Sequence, residues 1–266
     1  MNEASYSALR GRVIVVTRPE HQAQNLVTLL QQFGAEALLL PGIVIAAPLD
    51  KSGLRQACRD LPSYDFAMFV SSNAVDAVFR EIKVWPSGVM ALTPGAGTAQ
   101  ALWEKGVPEA QIVQPISSDD SEGLLALPLL QDVSGKRAVI FRGERGREHF
   151  SREMQARGAS VACVVSYRRV LPPSPSENLR QRLGQAKLDG IVLTAGEAIA
   201  NFEKILDEAT LARLKALPAF VPHPRIGQAA TMLSWQHPVI TESGDQGLLD
   251  GMNAYFSENE GNDNRQ

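Results

Sequence analysis

The apolar positions along the chain form short runs separated by longer amphipathic stretches. Residues 13–17 and 138–141 are rich in β-branched or large apolar side chains, as strands buried on both faces of a parallel sheet are. A stretch with helical spacing follows each run and ends at a glycine, a common helix stop signal. The predicted helices are 21–33 and 148–157, ended by Gly34 and Gly158, and further strands are predicted at 36–40, 65–70, 160–165 and 189–193. Strands that alternate with helices indicate an α/β fold with parallel sheets.

The two halves of the chain resemble each other at an offset of 124 residues, which rises to 128 where residues 94–101 align with 222–229. Residues 11–18 (GRVIVVTR) align in this way with 135–142 (GKRAVIFR). The same offset pairs Gly34-Ala35 with Gly158-Ala159, Asp65 with Asp189, and Gly123-Leu124-Leu125 with Gly247-Leu248-Leu249. A shared offset over most of the chain indicates an internal duplication. Each copy is therefore predicted to form a flavodoxin-like three-layer domain with a parallel sheet.

The boundary between the domains depends on two extended segments that end at prolines, 41–48 and 164–171. If the chain crosses between the domains at both, domain 1 comprises 1–42 plus 172–256, and domain 2 comprises 48–166. Segments 43–47 and 167–171 would then pair as a two-stranded β-ladder hinge beside an interdomain cleft. The sequence alone equally permits two consecutive halves. The polar segment 257–266 is predicted to be a disordered tail.

Composition and charge narrow the class of ligand. The net charge of -3 and the pI of about 5.9 argue against general nucleic-acid binding. Segment 136–182 carries eleven basic residues against four acidic ones, which suggests an anionic ligand, although a solvated arginine-rich surface explains it equally well. Cys58 and Cys163 make neither a disulfide framework nor a metal site. We find no signal peptide and no membrane-length apolar run, and expect a cytoplasmic protein.

Several short motifs occur in an order and spacing that resembles the uroporphyrinogen-III synthase family. The resemblance covers nearly the whole chain, from Arg12 to about Leu249. The motifs are Val16-Thr17-Arg18-Pro19, Val70-Ser71-Ser72-Asn73-Ala74-Val75, Gly97-Thr98-Ala99, Ser121-Glu122-Gly123-Leu124-Leu125, Arg142-Gly143, Tyr167 and Leu193-Thr194. Two loops depart from the family pattern, since Thr194-Ala195-Gly196 lacks a second serine and Pro222-His223-Pro224-Arg225 replaces a hydroxyl-rich turn.

The resemblance implies a reaction as well as a fold. The family's fold supports the double crossing. The implied substrate is hydroxymethylbilane, a linear tetrapyrrole whose acetate and propionate arms carry carboxylates. The implied reaction is a dehydrating cyclisation to uroporphyrinogen III, in which the last pyrrole, ring D, is inverted through a spiro intermediate. The family needs no metal and no organic cofactor. We therefore expect a monomeric, cyclising hydro-lyase with no nucleic-acid or membrane partner.

The carboxylate arms of such a substrate need hydrogen-bond donors. Helix N-termini supply free backbone N–H groups, and in doubly wound sheets they line the carboxyl edge of the strands. The candidate substrate-binding residues at such turns are Ser71, Ser72, Asn73, Thr98, Ser118, Ser121, Gly143, Thr194, Ala195, Gly196, His223 and Arg225. Plain helix capping is the alternative for each turn. Arg18 and Arg142 follow equivalent strands and are candidates for bidentate carboxylate binding, with a structural salt bridge as the alternative.

Tyr167 is the candidate catalytic residue, because its phenol could donate a proton to the departing hydroxyl. A half-buried hinge tyrosine without a chemical role is the alternative. Two other classes of protein share the predicted architecture. A non-catalytic bilobal protein that binds small anions is one of them. A receiver or nucleotide-binding domain is the other, but the chain has no acidic cluster at strand ends, no Gly-x-Gly-x-x-Gly after the first strand and no P-loop.

Overall fold

The structure, a computed structural model, describes residues 3–115, 120–146 and 148–263. Its strands are, in chain order, β1 (Val13–Val16), β2 (Glu36–Leu39), β3 (Val44–Ala46), β4 (Phe66–Phe69), β5 (Met90–Leu92), β6 (Ile112–Val113), β7 (Arg137–Gly143), β8 (Ser160–Val170), β9 (Gly190–Val192), β10 (Pro218–Val221) and β11 (His237–Ile240). Its helices are α1 (Glu20–Gln32), α2 (Ser52–Arg59), α3 (Ser72–Phe79), α4 (Ala96–Glu104), α5 (Ser121–Leu125), α6 (His149–Ala156), α7 (Glu177–Gln185), α8 (Gly196–Ile205), α9 (Glu208–Lys215), α10 (Pro224–Met232) and α11 (Gly244–Asp263). Short 3₁₀ helices occupy Glu3–Leu9, Leu61–Ser63, Glu109–Gln111 and Pro128–Leu130.

The chain forms two compact units. Unit 1 comprises Met1–Val44 and Val170–Gln266, and unit 2 comprises Ile45–Arg169. The chain therefore enters unit 2 through β3 and leaves it through β8. Both units are α/β, and the strand pairs of known register within them are parallel, as the hydrophobic pattern predicts.

Unit 1 has a five-stranded sheet in the order β11-β10-β9-β1-β2. Counted within the unit, this is the flavodoxin-like order 2-1-3-4-5. Side chains alternate between two apolar cores, so that Ile14 and Val16 face α1 and α11 while Val15 packs on the opposite side with α8. Burial on both faces explains why the strands are continuous apolar runs rather than alternating ones.

Unit 2 has a six-stranded sheet in the order β3-β8-β7-β4-β5-β6. Without the edge strand β3, the order is β8-β7-β4-β5-β6. If β7 is counted as the first strand, β8 as the second, and β4, β5 and β6 as the third to fifth, this order is again 2-1-3-4-5. Two apolar cores cover its faces, one with Phe69 and Phe141 and the other with Phe66 and Ile140. In both units the carboxyl ends of parallel strands meet at one edge of the sheet, where the following helices begin.

One aspartate contact recurs in both units. In unit 2, Asp65 accepts hydrogen bonds from the backbone N–H of Arg137 at 2.9 Å and from Lys136 Nζ at 2.9 Å. In unit 1, Asp189 accepts from the backbone N–H of Val13 at 2.9 Å and from Arg12 at 3.1 Å.

The donors Val13 and Arg137 are 124 residues apart, as are the acceptors Asp65 and Asp189. Each half of the chain therefore supplies an aspartate that accepts a hydrogen bond from the start of a strand in the other half. The pKa of Asp65 is held below its usual value, mainly by the hydrogen bond from the backbone N–H of Arg137 and next by the hydrogen bond from the Lys136 side chain.

Two boundaries differ from the sequence predictions. β8 runs unbroken over eleven residues to Val170, so the predicted strand 160–165 and the predicted hinge segment 167–171 are largely one strand. The predicted disordered tail, 257–266, is wrong for 257–263, because α11 continues to Asp263. Its earlier turns are anchored by buried Leu249, Met252 and Phe256, and extending an anchored helix fixes only one residue per added hydrogen bond.

We expect residues 45–169, expressed alone, to unfold cooperatively, whereas residues 1–134 should not. The shorter fragment keeps all strands of unit 2 in one piece. Fragment 1–134 lacks β7 and β8, which lie between β3 and β4 in the sheet. Chemical denaturation followed by circular dichroism measures both. A cooperative transition in 1–134 together with none in 45–169 would show two consecutive domains instead.

We expect Asp65→Asn to destabilise the protein at pH 7 and to have little effect at low pH. A carboxylate with a lowered folded-state pKa stabilises the fold above its unfolded pKa, and this stabilisation is lost as the pH falls through the folded pKa. The gap in melting temperature between wild type and variant should therefore close below about pH 4. Asp60→Asn, whose carboxylate accepts from Gln56 on an exposed helix end, is the control and should show a smaller gap. A gap that is independent of pH would contradict this account.

Candidate active site

Tyr167 lies at the carboxyl edge of unit 2 and is only 6% exposed. Its phenolic oxygen accepts a hydrogen bond from Ser71 Oγ at 3.1 Å. Ser71 directly precedes α3, at the turn that follows β4. The ring lies against Gly143, where an added Cβ would stand 3.2 Å from ring atoms Cε2 and Cζ. The structure therefore brings together three of the predicted site residues, from three neighbouring strands or the turns after them.

A β-bulge in β8 accounts for the placement of Tyr167. Arg142 pairs with Val165, but Gly143 pairs with Tyr167, so Ser166 is an extra residue in the ladder. The buried Ser166 hydroxyl donates to the Arg142 carbonyl at 3.1 Å and so gives that carbonyl a partner beside the bulge. A bulge redirects the side chains that follow it, and bulges are frequent beside active sites. Here it sets Tyr167 directly opposite Gly143.

The helices at the carboxyl edges fall into two groups. In the first group the N-cap residue makes no side-chain capping bond: this residue is Ser71 before α3, Gly95 before α4 and Ala195 before α8. In the second group the chain caps itself, because Asp120 accepts from Gly123 N in α5 and His223 Nδ1 accepts from Arg225 N in α10. The N-cap residues of α1 and α6, Pro19 and Glu148, make no capping bond either. At such helix ends the N-cap side chain leaves the first-turn N–H groups and the positive end of the helix dipole available.

The candidate substrate-binding residues of the first group lie in the first turns of their helices or directly before them, where backbone N–H groups are available to an anion. Thr98 is 9% exposed and lies in the first turn of α4, and space around Gly97 is open, with no atom within 4 Å of an added Cβ. Asn73 is buried in the first turn of α3, beside the half-buried Ser72. In unit 1, the half-buried Thr194 and Ala195 precede α8, and Gly196 begins it.

The candidates in the second group are less suited to contact a ligand. Ser121 donates to the neighbouring Glu122 at 3.2 Å, and the capping aspartate beside it adds a second carboxylate that would repel an anionic arm. His223 and Arg225 are exposed, and the imidazole of His223 is already used as a cap. For these two turns the capping alternative describes the observed contacts. Ser118 lies outside the described residues.

Arg18 and Arg142 stand at equivalent positions but have different surroundings. Arg18 forms an ion pair with Asp245 in the first turn of α11, and Asn25 donates to the same carboxylate at 2.6 Å. Within the described part of the chain, the half-buried Arg142 makes no ion pair or side-chain hydrogen bond, and its Nε lies 3.8 Å from a Cβ added to Gly146. The salt-bridge interpretation therefore describes Arg18, while bidentate carboxylate binding by Arg142 stays a prediction.

The described residues offer no metal site, and the buried cysteine, Cys58, is not a reactive thiol. No group of three or more His, Cys, Asp or Glu side chains among them is arranged to hold a metal ion. Burial raises the pKa of the Cys58 thiol to about 11, with a smaller contribution from Glu81, so this thiol stays protonated at neutral pH. Among the described helices, none has the length and apolar character that crossing a bilayer demands.

Comparison with known proteins assigns the chain to a family. A family model described as uroporphyrinogen-III synthase HemD matches residues 24–249. The chain belongs to the uroporphyrinogen-III synthase family. The match includes Tyr167, Ser71, Gly143 and Arg142, so the edge of unit 2 described above lies within the family's shared region.

Members of the uroporphyrinogen-III synthase family resemble the chain over most of its length. The protein of that name from Salmonella typhimurium is 29% identical over 244 residues, 89% of this chain and 97% of the relative. The Escherichia coli protein is 28% identical with the same coverage. A solved mutant uroporphyrinogen III synthase from Thermus thermophilus has a TM-score of 0.55 at 18% identity and covers 93% of this chain and 98% of its own. One from Helicobacter pylori has a TM-score of 0.53 at 15% identity, with 90% and 97% covered. These likenesses confirm the α/β fold.

Sequence reasoning missed two residues that shape the site of this synthase family member. Ser166 fixes the bulge behind Tyr167, but a serine within an apolar strand carries no signal for a bulge. Asp245 is the partner of Arg18, and an acid in the first turn of a helix is so common that it could not be singled out.

We expect Arg18→Ala and Arg142→Ala to have opposite phenotypes. Arg18→Ala leaves Asp245 without its cation, so it should lower the free energy of unfolding by about 1–3 kcal/mol. Arg142→Ala should change stability little but raise KM for hydroxymethylbilane about tenfold, the effect of losing about 1.4 kcal/mol of binding. Denaturation curves and steady-state kinetics on both variants measure this. If Arg142→Ala leaves KM unchanged while Arg18→Ala raises it, the assignment of the two arginines is reversed.

Proposed function

We propose that the chain catalyses the dehydrating cyclisation of hydroxymethylbilane to uroporphyrinogen III, and that it does so without a metal or an organic cofactor. Family membership across residues 24–249 supports the reaction. The structural observation that supports a catalytic role for particular residues is the buried phenol of Tyr167. It is hydrogen-bonded to Ser71 at the sheet edge where α3 and α4 begin, and the N-cap residues of both helices make no side-chain capping bond.

The carboxylate arms of the substrate bind to the N-termini of α3 and α4 and to Arg142 in unit 2. They also bind to the N-terminus of α8 in unit 1, with Thr194, Ala195 and Gly196. Backbone N–H groups at a helix N-terminus bind anions through hydrogen bonds and the helix dipole together. The guanidinium of Arg142 adds a bidentate contact. Since these contacts are distributed, no single one is expected to determine affinity.

Tyr167 assists the loss of water. The ring nitrogen of the hydroxymethylpyrrole expels the hydroxyl group, which takes the phenolic proton and leaves as water. The resulting azafulvene cation is attacked by the substituted carbon of ring D, and the spiro intermediate opens and recloses. The proton released when the ring becomes aromatic again restores the phenol. Because the bilane also closes without an enzyme, holding ring D in position is the harder task, and that task is one of orientation.

The domain plan of the sequence analysis is part of this proposal. An internal duplication is supported by the shared strand order of the two sheets and by the recurring contacts of Asp65 and Asp189. In this plan each half of the chain contributes to both units, and β3 and the end of β8 serve as the hinge. The monomeric state and the cytoplasmic location also stay predictions, which size-exclusion chromatography and cell fractionation would test.

A non-catalytic anion-binding protein is the less favoured alternative. Such a protein would need the same donors at the carboxyl edges. It would have no use for a buried phenol held by a serine and a glycine. Turnover therefore separates the two functions, since binding alone would return the bilane unchanged or closed to the spontaneous product.

We expect the purified protein to convert freshly prepared hydroxymethylbilane to the type III isomer with a chelator present and no cofactor added. Spontaneous closure yields the type I isomer, so the isomer ratio reports enzyme action directly. Chromatographic separation of the isomers after short incubation is the measurement, and heat-inactivated protein is the control. A product that is type I alone, at the rate of the control, would refute the proposed function.

A further inference from the structure

We propose that Ser71 is a positioning residue for Tyr167: its hydroxyl donates to the phenolic oxygen, and the phenol's own proton is thereby directed to the substrate. This inference rests on the proposed function and deepens it. It assigns Ser71 a role other than direct binding of the substrate. Gly143 and the bulge at Ser166 complete the arrangement, because they determine where the phenolic oxygen lies.

The first argument is the geometry of the contact between the two hydroxyl groups. Ser71 Oγ lies 3.1 Å from Tyr167 Oη, within hydrogen-bond distance, and the serine is the donor in the proposed arrangement. A phenol has one O–H donor, which lies near the ring plane and so has two favoured directions. A donor that approaches from one of these directions leaves the other for the phenolic hydrogen. The ring itself cannot turn aside, since it is buried and a Cβ at Gly143 would already be 3.2 Å from it.

The second argument is that the Ser71 hydroxyl is not used for helix capping. Serine is a preferred N-cap because its oxygen accepts a bond from a first-turn N–H group. Ser176 does this for α7, accepting from Leu179 N at 3.3 Å. Ser71 occupies the same position before α3, with extended backbone angles suitable for a cap, yet its side chain makes no capping bond. Its hydroxyl is oriented toward Tyr167 instead.

The third argument comes from the other half of the chain. Positions 124 residues away keep features that build the fold, such as Asp189 for Asp65. The three residues in contact at the phenol all differ there. In the order Ser71, Gly143 and Tyr167, the counterparts are Ala195, Pro19 and Ile43. An alanine precedes α8 without preventing the helix, so this architecture does not require a serine before the helix. The three residues change as a set, which points to one shared task.

A kinetic double-mutant cycle tests the proposal. Ser71→Ala should lower kcat about three- to tenfold with KM unchanged, the loss of one neutral hydrogen bond. Tyr167→Phe should lower kcat about ten- to a hundredfold, at the low end of acid catalysis, with type III still formed. In the double variant, Ser71→Ala should cause no further loss, because phenylalanine has no oxygen to receive the bond. Multiplying effects would overturn the proposal, as would a raised KM in Ser71→Ala, which would mark a direct substrate contact.

Two control variants separate positioning from stability. Ser71→Thr keeps the hydroxyl and should retain kcat within about twofold of wild type. Ser176→Ala removes a real helix cap, which typically costs about as much stability as one hydrogen bond, but it has no link to the phenol and should leave kcat and KM unchanged. If Ser176→Ala lowers kcat as much as Ser71→Ala, the effect of Ser71 is one of stability, and the proposal fails.

An unfolding experiment keeps this inference distinct from the proposed function. Ser71→Ala and Tyr167→Phe remove the same bond, so their effects on the urea midpoint should be non-additive. This measurement needs no substrate. Additive midpoint shifts would show that the bond is absent in solution and would overturn the inference even in an active enzyme. Conversely, a wild-type protein that forms only the type I isomer would refute the proposed function, and with it the use of the bond in catalysis.

Discussion

The parallel pairing of strands buried on both faces is the constraint on which the rest of the structure depends. Parallel neighbours cannot be joined by a tight hairpin, so each connection passes through a helix that covers one face of the sheet. The parallel strands of each sheet therefore end at one edge of that sheet, and most of them are followed there by a helix N-terminus. The apolar runs at β1, β4, β7 and β9 thus lead to two edges rich in backbone donors. The binding of carboxylate arms proposed above therefore depends on the same parallel pairing that makes the strands apolar.

The position of Tyr167 depends on a local departure from that regular pairing. A strand without the bulge would alternate strictly, and the side chain two residues after Val165 would take the same face as Val165, which is 37% exposed. The extra residue Ser166 breaks this alternation, and Tyr167 becomes buried opposite a residue with no side chain. The Ser166 hydroxyl bonds to a carbonyl at the irregularity. The phenol of Tyr167 is thus placed by the backbone geometry of a strand.

The electrostatic character of the two edges depends on which helix ends are capped. A cap satisfies a first-turn N–H group and so removes a donor that a ligand could use. Asp120 and His223 serve as caps within the chain, whereas α3, α4 and α8 have none from a side chain. The two equivalent arginines divide in the same way, since Arg18 is neutralised by Asp245 and Arg142 is not. The helix ends and the two arginines therefore differ in their hydrogen-bond partners, although the sequence presents similar residues at all of them.

The sequence by itself determined the α/β class, the family, and the position of β1, β2, β4, β7, β9, α1 and α6 to within one or two residues at each end. These follow from local patterns: buried runs at 13–17 and 138–141, glycines at helix ends, and motifs in a fixed order. It also singled out Ser71, Gly143 and Tyr167, although only as separate candidates. Their meeting, the bulge at Ser166, the pairing of Arg18 with Asp245 and the capping by His223 were decided by the tertiary structure. The first three features join residues that are distant in the sequence and meet only in the folded chain. The capping by His223 depends on which of the available hydrogen bonds the side chain makes. Sequence spacing does not record that choice, because a serine before a helix looks the same whether its hydroxyl caps the helix or faces a phenol.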